Sequence, residues 1–277
     1  TNSAYYEKAV LQSAVKMINN LSEELNIMRP AMLETGLERV AYNLNRKNTD
    51  TRFFEFGKIY AVNESGKYIE KNRLAIYISG KKAADGWKGK ADKTDIFFLK
   101  AVIEKIIKGM GLKITTYQEE KDQSLSISLS AKIKNDSIAT LGAVSNKMLD
   151  SFDIKQPVFY ADFDWDKLLQ LNKKLNIQHA DISKFPSVQR DLAIVVDKAL
   201  KYESVENATY SARVNKLKNI NLFDVFESEK LGANKKSMAI NFTFLDEEKT
   251  LTDKEIDNMM NKIIAAYEKE LNAEVRK

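Results

Sequence analysis

Two short segments near the C-terminal end carry side chains suited to holding an unpaired nucleobase: Phe223-Asp224-Val225-Phe226 and Lys235-Lys236-Ser237. Single-stranded RNA is held by stacking its bases on aromatic rings, and it is read by hydrogen bonds to the exposed base edges. Cations nearby serve the phosphates. The first segment has the pattern of a strand, so its side chains alternate faces. Asp224 and Phe226 then share one face, while Phe223 and Val225 share the other and are expected to be core. Spacing alone leaves Phe226 as either a stacking platform or a solvent-face aromatic without a role. Lys235, Lys236 and Ser237 open the next strand, after the turn Gly232-Ala233-Asn234. If the two strands pair, a hydroxyl and two ammonium groups lie beside the ring; otherwise the lysines are ordinary solvated charges. Arg190 precedes a further strand and has two open roles, a phosphate ligand or a partner for Asp191 or Asp224.

The surrounding pattern supplies a scaffold for these groups. It predicts a strand over 191–197, a helix near 203–216, strands over 219–227 and 237–245, and a helix over 253–271. Ala273 to Arg276 form a possible last edge strand. Thr252 and Glu255 have the spacing of a capping box at the start of the last helix. This β–α–β–β–α–β order is the ferredoxin-like arrangement. Residues 172–184 are polar and aperiodic, and the domain boundary is placed there, giving domains 1–180 and 181–277. Upstream, Pro30 has the position of a first helical residue. Leu33, Leu37, Val40, Ala41 and Leu44 follow at helical spacing. Strands are predicted over 52–62 and 73–79, joined through a turn at Glu64-Ser65-Gly66. A helix runs from Thr94 or Asp95 to Lys108, stopped by Gly109 and Gly111. Leu125, Ile127 and Leu129 alternate with serines as in a half-buried strand. Strands over 138–144 and 158–163 and a short helix over 164–171 complete the first domain.

Composition narrows the chemistry. The chain has 277 residues, no cysteine, one histidine, 44% hydrophobic residues and a formal net charge of +5. That length favours two domains. The missing cysteines exclude a thiolate metal cluster, a disulfide framework and a cysteine nucleophile. They fit a cytoplasmic location. No apolar run approaches the roughly 18 residues a membrane helix needs, so no membrane partner is expected. The chain opens at Thr1 without a signal peptide, as a piece of a longer protein would. The excess charge is not where nucleic acid would want it: residues 183–277 hold 16 basic and 16 acidic side chains. Within them, 184–236 carry 10 basic and 7 acidic residues, which is compatible with one basic side. Asp162, Asp164 and Asp166 alternate like metal ligands but lack the glycine and closing glutamate of a calcium loop. They are expected to be helix-capping charges. His179 has no acid, nucleophile or second ligand near it and is expected to be a surface residue. No catalytic or metal-binding residue is assigned.

The segments from Phe185 to Ala193, from Asn221 to Phe226, at Lys235-Lys236-Ser237 and from Leu251 to Ile256 together resemble the ferredoxin-fold anticodon-binding domain that ends the β subunit of bacterial phenylalanyl-tRNA synthetase. Leu21 to Pro30, Ala41 to Arg46 and Phe54 to Lys58 resemble the catalytic-like module of the same subunit. The resemblance implies an α+β protein, a class II synthetase-like antiparallel sheet with helices followed by a ferredoxin-like βαββα(β) domain. It implies anticodon contacts at Asp224, Phe226 and Ser237, with Lys235, Lys236 and Arg190 as further tRNA-binding candidates. Glu227 and Gln189 stand where the family more often has basic residues. The implied partners are the tRNA for phenylalanine and the synthetase α subunit, in an (αβ)2 heterotetramer, with no DNA partner. The complete enzyme uses ATP and Mg²⁺; this chain is expected to hold neither. A working class II core needs an arginine in a strand hairpin and a glycine-rich segment ending in arginine. Arg52-Phe53-Phe54-Glu55 faintly echoes the first, and Leu141-Gly142-Ala143-Val144 lacks the second. A non-catalytic scaffold is therefore expected, with part of the 31–44 helix contacting another chain. The competing reading is a stand-alone small-molecule enzyme with a ferredoxin-like regulatory domain. Charged residues converging on a pocket in the first domain would favour that reading.

Overall fold

A computed structural model describes residues 1–173, 175, 182–228, 231, 232 and 234–276. The chain divides into two units, Thr1–Gln178 and His179–Lys277. His179, Ala233 and much of the 172–184 boundary stretch lie outside the described residues.

The first unit is built on six antiparallel strands. They are β1 (Thr51–Val62), β2 (Tyr68–Ser79), β3 (Thr116–Glu119), β4 (Leu125–Ile133), β5 (Asp136–Val144) and β6 (Val158–Asp164), in the order β1-β2-β6-β5-β4-β3. Helices α1 (Lys8–Gln12), α2 (Leu33–Leu44), α3 (Ile96–Gly109), α4 (Asn146–Ser151) and α5 (Trp165–Asn172) accompany them. Period-two alternation splits β2 between two cores. Leu74, Ile76 and Ile78 meet Leu99, Ile103 and Ile107 of α3 and Leu168 of α5 on one face. Ala75 and Tyr77 meet Leu33, Leu37 and Val40 of α2 and Leu149 of α4 on the other. The apolar stripe of α2 is thus consumed inside its own unit. Leu37 and Val40 are wholly buried, while Ala41 and Leu44 pack against the same cluster. The stripe therefore lends no support to the expectation that part of the 31–44 helix contacts another chain. The physical reason is that Tyr77 and Tyr160 need a cover, and α2 rides close enough to give it. A Cβ added at Gly36 would lie 2.0 Å from the Tyr77 ring.

Local signals set several boundaries. Asp95 caps α3 by accepting from the Phe98 amide at 2.7 Å, and Gly111, at φ 73°, follows its end. Pro30 lies outside α2, whose N-cap is Met32. The alternation expected at 125–129 is broken by a bulge between Leu125 and Ile127. Leu125 packs into the α2-side core, Leu129 packs against the α3-side core, and Ile127 between them is 49% exposed. One extra residue moves the following side chains to the other face. Gly142 is required there, since its Cβ would meet the Ile127 carbonyl at 1.9 Å. The short elements β3, α4 and α1, of 4, 6 and 5 residues, span too few turns or pleats to show a period in sequence.

The second unit runs β7 (Val188–Asp197), α6 (Tyr202–Ser211), β8 (Leu217–Phe226), β9 (Lys235–Phe244), α7 (Asp253–Leu271) and β10 (Glu274–Arg276). The sheet order β10-β7-β9-β8, antiparallel throughout, is the ferredoxin-like one. The predicted capping box at Thr252 and Glu255 is present. Lys249 and the Thr252 amide hold the Glu255 carboxyl down to about 2. Both helices cover one face, where Val205, Ala208, Ile256, Met260, Ile263 and Tyr267 bury Ile194, Ile240, Phe242 and Phe244.

Candidate nucleic-acid interface

Pairing in the second unit decides which residues share the other face. Residues directly opposite in an antiparallel sheet project to the same side. On β9, Met238, Ile240, Phe242 and Phe244 enter the core, so Lys235, Ser237, Ala239, Asn241 and Thr243 face away from the helices. Register then assembles four rows. Phe226, Ser237, Val195 and Glu274 form the first, and Asp224, Ala239 and Ala193 the second. Asn221, Asn241 and Asp191 form the third, and Asn219, Thr243 and Gln189 the fourth. Among the described residues of this unit, no helix covers this face.

Asp224, Phe226 and Ser237 are brought together as the sequence suggested, with Phe226 paired to Ser237 and Asp224 to Ala239. Phe226 is 52% exposed, whereas Ser237 is 7% exposed. The ring therefore projects, and the serine forms the floor beside it. The other half of the expectation fails. Phe223 and Val225 are 54% and 47% exposed and are not core. β8 is an edge strand, the core takes it only as far as Leu222, and a bulge between Leu222 and Asp224 resets its register.

The cations divide as well. Lys235 lies on the open face and pairs with Glu274 across β7. Lys236, the next residue, points to the helix side, where its ammonium donates to the Leu200 carbonyl at 2.7 Å. Consecutive strand residues cannot share a face, so the two lysines do not form one phosphate edge. Arg190 pairs with Phe242 in register, on the helix side, and reaches Asp253 at 2.8 Å rather than Asp191 or Asp224. Glu227 pairs with Lys198. Sequence reasoning passed over Asn219, Asn221, Asn241 and Thr243. Their signal was present in the alternation of amides and hydroxyls with Ile220, Leu222, Phe242 and Phe244. It takes the pairing to turn four scattered residues into a patch. Asn241 donates from Nδ2 to Asp191 Oδ1 at 2.6 Å.

Among its described residues, the first unit offers no comparable polar site. A cavity of about 380 Å³ is lined by Phe53, Phe54, Phe56, Phe98 and Trp165 with aliphatic neighbours and one charged residue, Arg52. The Arg52 guanidinium is occupied by the carbonyls of Lys81 at 2.9 Å and Lys82 at 2.5 Å. It does not fit the phosphate-holding role its motif suggests. Of the three alternating aspartates, only Asp164 caps a helix, accepting from the Lys167 amide. Asp162 pairs with Arg73 at 2.8 Å, and burial raises its carboxyl despite that partner. Asp166 accepts from the Asn72 side chain and backbone. Asp164 also lies 3.9 Å from Arg73, so two of the three share that guanidinium while Asp166 turns to Asn72. Glu34, 6% exposed, has an unpartnered Oε2, and burial lifts its carboxyl to about 6.

Comparison with known proteins agrees with this division. Residues 1–165 match the family model described as the phenylalanyl tRNA synthetase beta chain CLM domain. Residues 183–276 match that of the ferredoxin-fold anticodon binding domain. The phenylalanine–tRNA ligase beta subunit of Bacteroides fragilis is 37% identical over 100% of this chain and 35% of its own length. That of Porphyromonas gingivalis is 34% identical over the same shares, and that of Clostridium acetobutylicum 32% identical over 98% and 33%. The chain thus spans about a third of the length of the curated relatives it matches. With a model of that family matched over more than half of its residues, the chain belongs to the phenylalanyl-tRNA synthetase beta-chain family.

Proposed function

We propose that the open face of the second unit binds the anticodon loop of the tRNA for phenylalanine, and that the first unit is a non-catalytic scaffold for the synthetase α subunit. The complete (αβ)2 enzyme would act in the cytoplasm, joining phenylalanine to its tRNA with ATP and Mg²⁺. The supporting observation is the Phe226 ring standing clear of an uncovered sheet face, with Ser237 and Asp224 beside it, in a domain matched by an anticodon-binding model. A flat ring at the edge of a sheet takes a base of any identity, and the neighbouring hydroxyl and carboxylate can read its edge. The scaffold reading draws on Arg52, whose charge is spent on two backbone carbonyls, and on a cavity wall that is otherwise apolar. Neither favours the small-molecule enzyme. The isolated chain is expected to show no ATP–pyrophosphate exchange.

The test is Phe226→Ala, assayed for tRNA binding and for thermal unfolding together. Loss of the platform weakens binding by about 1–3 kcal/mol and leaves the melting temperature in place, because the ring is half exposed. A lowered melting temperature with unchanged affinity would refute the stacking role.

A further inference from the structure

We propose that the loop joining β2 to α3 presents Trp87 as a stacking platform for an unpaired RNA base, with lysines beside it for the flanking phosphates. This contact lies on the first unit and does not rest on the anticodon reading of the second. The loop is braced from its base upward. The Thr94 amide and hydroxyl both donate to the Gly80 carbonyl at 2.8 Å, and the Lys82 amide donates to the Asp92 carbonyl at 2.7 Å. Asp50 accepts from the Lys81 amide at 2.8 Å. The Arg52 guanidinium holds the carbonyls of Lys81 and Lys82. Asp85 ties the two arms together, accepting from the Ala91 amide at 2.9 Å and from the Lys81 ammonium at 2.6 Å. At the tip, Gly86 and Gly89 exchange amide-to-carbonyl bonds at 3.0 and 3.1 Å, so Trp87 and Lys88 alone turn the chain. Gly89 lies at φ 151°, where a side chain would be strained. All this bracing ends in a ring that is 92% exposed, with the Lys88 ammonium 5.2 Å from its centroid.

The surroundings of the ring choose its partner. Residues 80–93 hold five lysines and two aspartates. Lys81 pairs with Asp85 and Lys82 with Asp95, which leaves Lys88, Lys90 and Lys93 against Asp92, all exposed. Trp87 is the one large apolar residue in that stretch, so its neighbours along the chain give it no apolar collar of the kind that dries an aromatic anchor between two proteins. An exposed ring among cations suits single-stranded nucleic acid, where the ring stacks on a base and the ammonium groups meet phosphates. A duplex keeps its base faces stacked inside and would meet only the lysines. The indole offers one N–H and no acceptor, so the platform takes a base of any identity. Because the tip is held before binding, little ordering cost falls on the contact.

The experiment uses the full chain carrying Trp165→Phe, which leaves Trp87 as the one tryptophan, titrated with single-stranded oligoadenylate and with duplex RNA of the same length. Oligoadenylate is expected to quench Trp87 emission to saturation, and the duplex to leave it nearly unchanged. In the chain that keeps Trp165, Trp87→Ala should weaken oligoadenylate binding by roughly five- to a hundredfold, the range of one stacked base, with the melting temperature unchanged. Trp87→Phe should recover most of that loss. Lys88→Gln and Lys90→Gln should each lower the log–log salt slope by about 0.7. Phe226→Ala is carried through the same titration, and quenching of Trp87 that survives it belongs to the first unit. If oligoadenylate fails to bind, binds with Trp87 emission unchanged, or binds Trp87→Ala as tightly as the parent, the platform is wrong and the tip is left for a protein partner. Equal quenching by the duplex also overturns it, since charge alone would explain that. In each case the anticodon reading stands or falls separately, on whether Phe226→Ala weakens tRNA binding.

Discussion

The two sheets of this chain are both antiparallel and both amphipathic in sequence, yet they end in opposite states. The six-stranded sheet is covered on both sides, by α3 and α5 on one face and by α2 and α4 on the other. The four-stranded sheet is covered once, by α6 and α7, and no helix among the described residues of its unit covers its second face. A sheet covered on both faces offers a ligand room where the cover falls short, as at the apolar cavity beside β1; one buried on a single face can present a grid of side chains at strand spacing. The difference shows in the aromatics. Phe242, on the inner face of β9, is wholly buried. Phe226, on the outer face of the neighbouring strand, is half exposed.

That contrast can be broken most directly through Phe242. Phe242→Ala should destabilise the second unit by about 3–5 kcal/mol, whereas Phe226→Ala should change stability by no more than about 0.5 kcal/mol. Both tryptophans, Trp87 and Trp165, lie in the first unit. Their fluorescence should report an unchanged first transition while far-ultraviolet circular dichroism follows the second. Equal effects from the two phenylalanines would mean the faces are not distinct.

The doubly covered sheet has its own weak point at Glu34. Its folded value of about 6 lies above the ordinary 4.5, so burial favours the neutral acid. The penalty is absent below pH 4.5, grows as the pH rises through 6, and is complete above it, at on the order of 2 kcal/mol. Glu34→Gln should therefore stabilise the first unit by about that amount at pH 8 and by nothing near pH 4. Denaturant titrations followed by tryptophan fluorescence at the two pH values check it. A gain that does not depend on pH would point to packing rather than ionisation.

The smallest effects separate two adjacent lysines. Lys235→Ala should reduce the salt dependence of tRNA binding by about 0.7 in log–log slope if it contacts one phosphate. Lys236→Ala should leave the slope unchanged, because its ammonium serves the Leu200 carbonyl on the helix side. A salt titration of both variants decides this. Equal changes would place both lysines at the RNA.

Much of the fold was legible because its signals are local. The capping box at Thr252 and Glu255, the aspartate cap on α3 and the alternation along β9 each work within a few residues. The failures share a different cause. The α2 stripe has the same spacing whether it meets another chain or Tyr77 of its own sheet, and only the close approach at Gly36 distinguishes them. Phe223 and Val225 have the composition of core residues, but a bulge and an edge position withhold the core from them.

By itself, the sequence determined the types and order of the longer elements, the alternation along β9, and the presence of Asp224, Phe226 and Ser237 at strand positions able to meet. These follow from period, cap and turn chemistry along a continuous backbone. Only the tertiary structure decided that Lys235 faces outward and Lys236 inward, that Arg190 answers Asp253, and that Asn221, Asn241 and Asp191 stand in one row. Such facts depend on register between strands far apart in the chain. A shift of one residue would reverse every one of them.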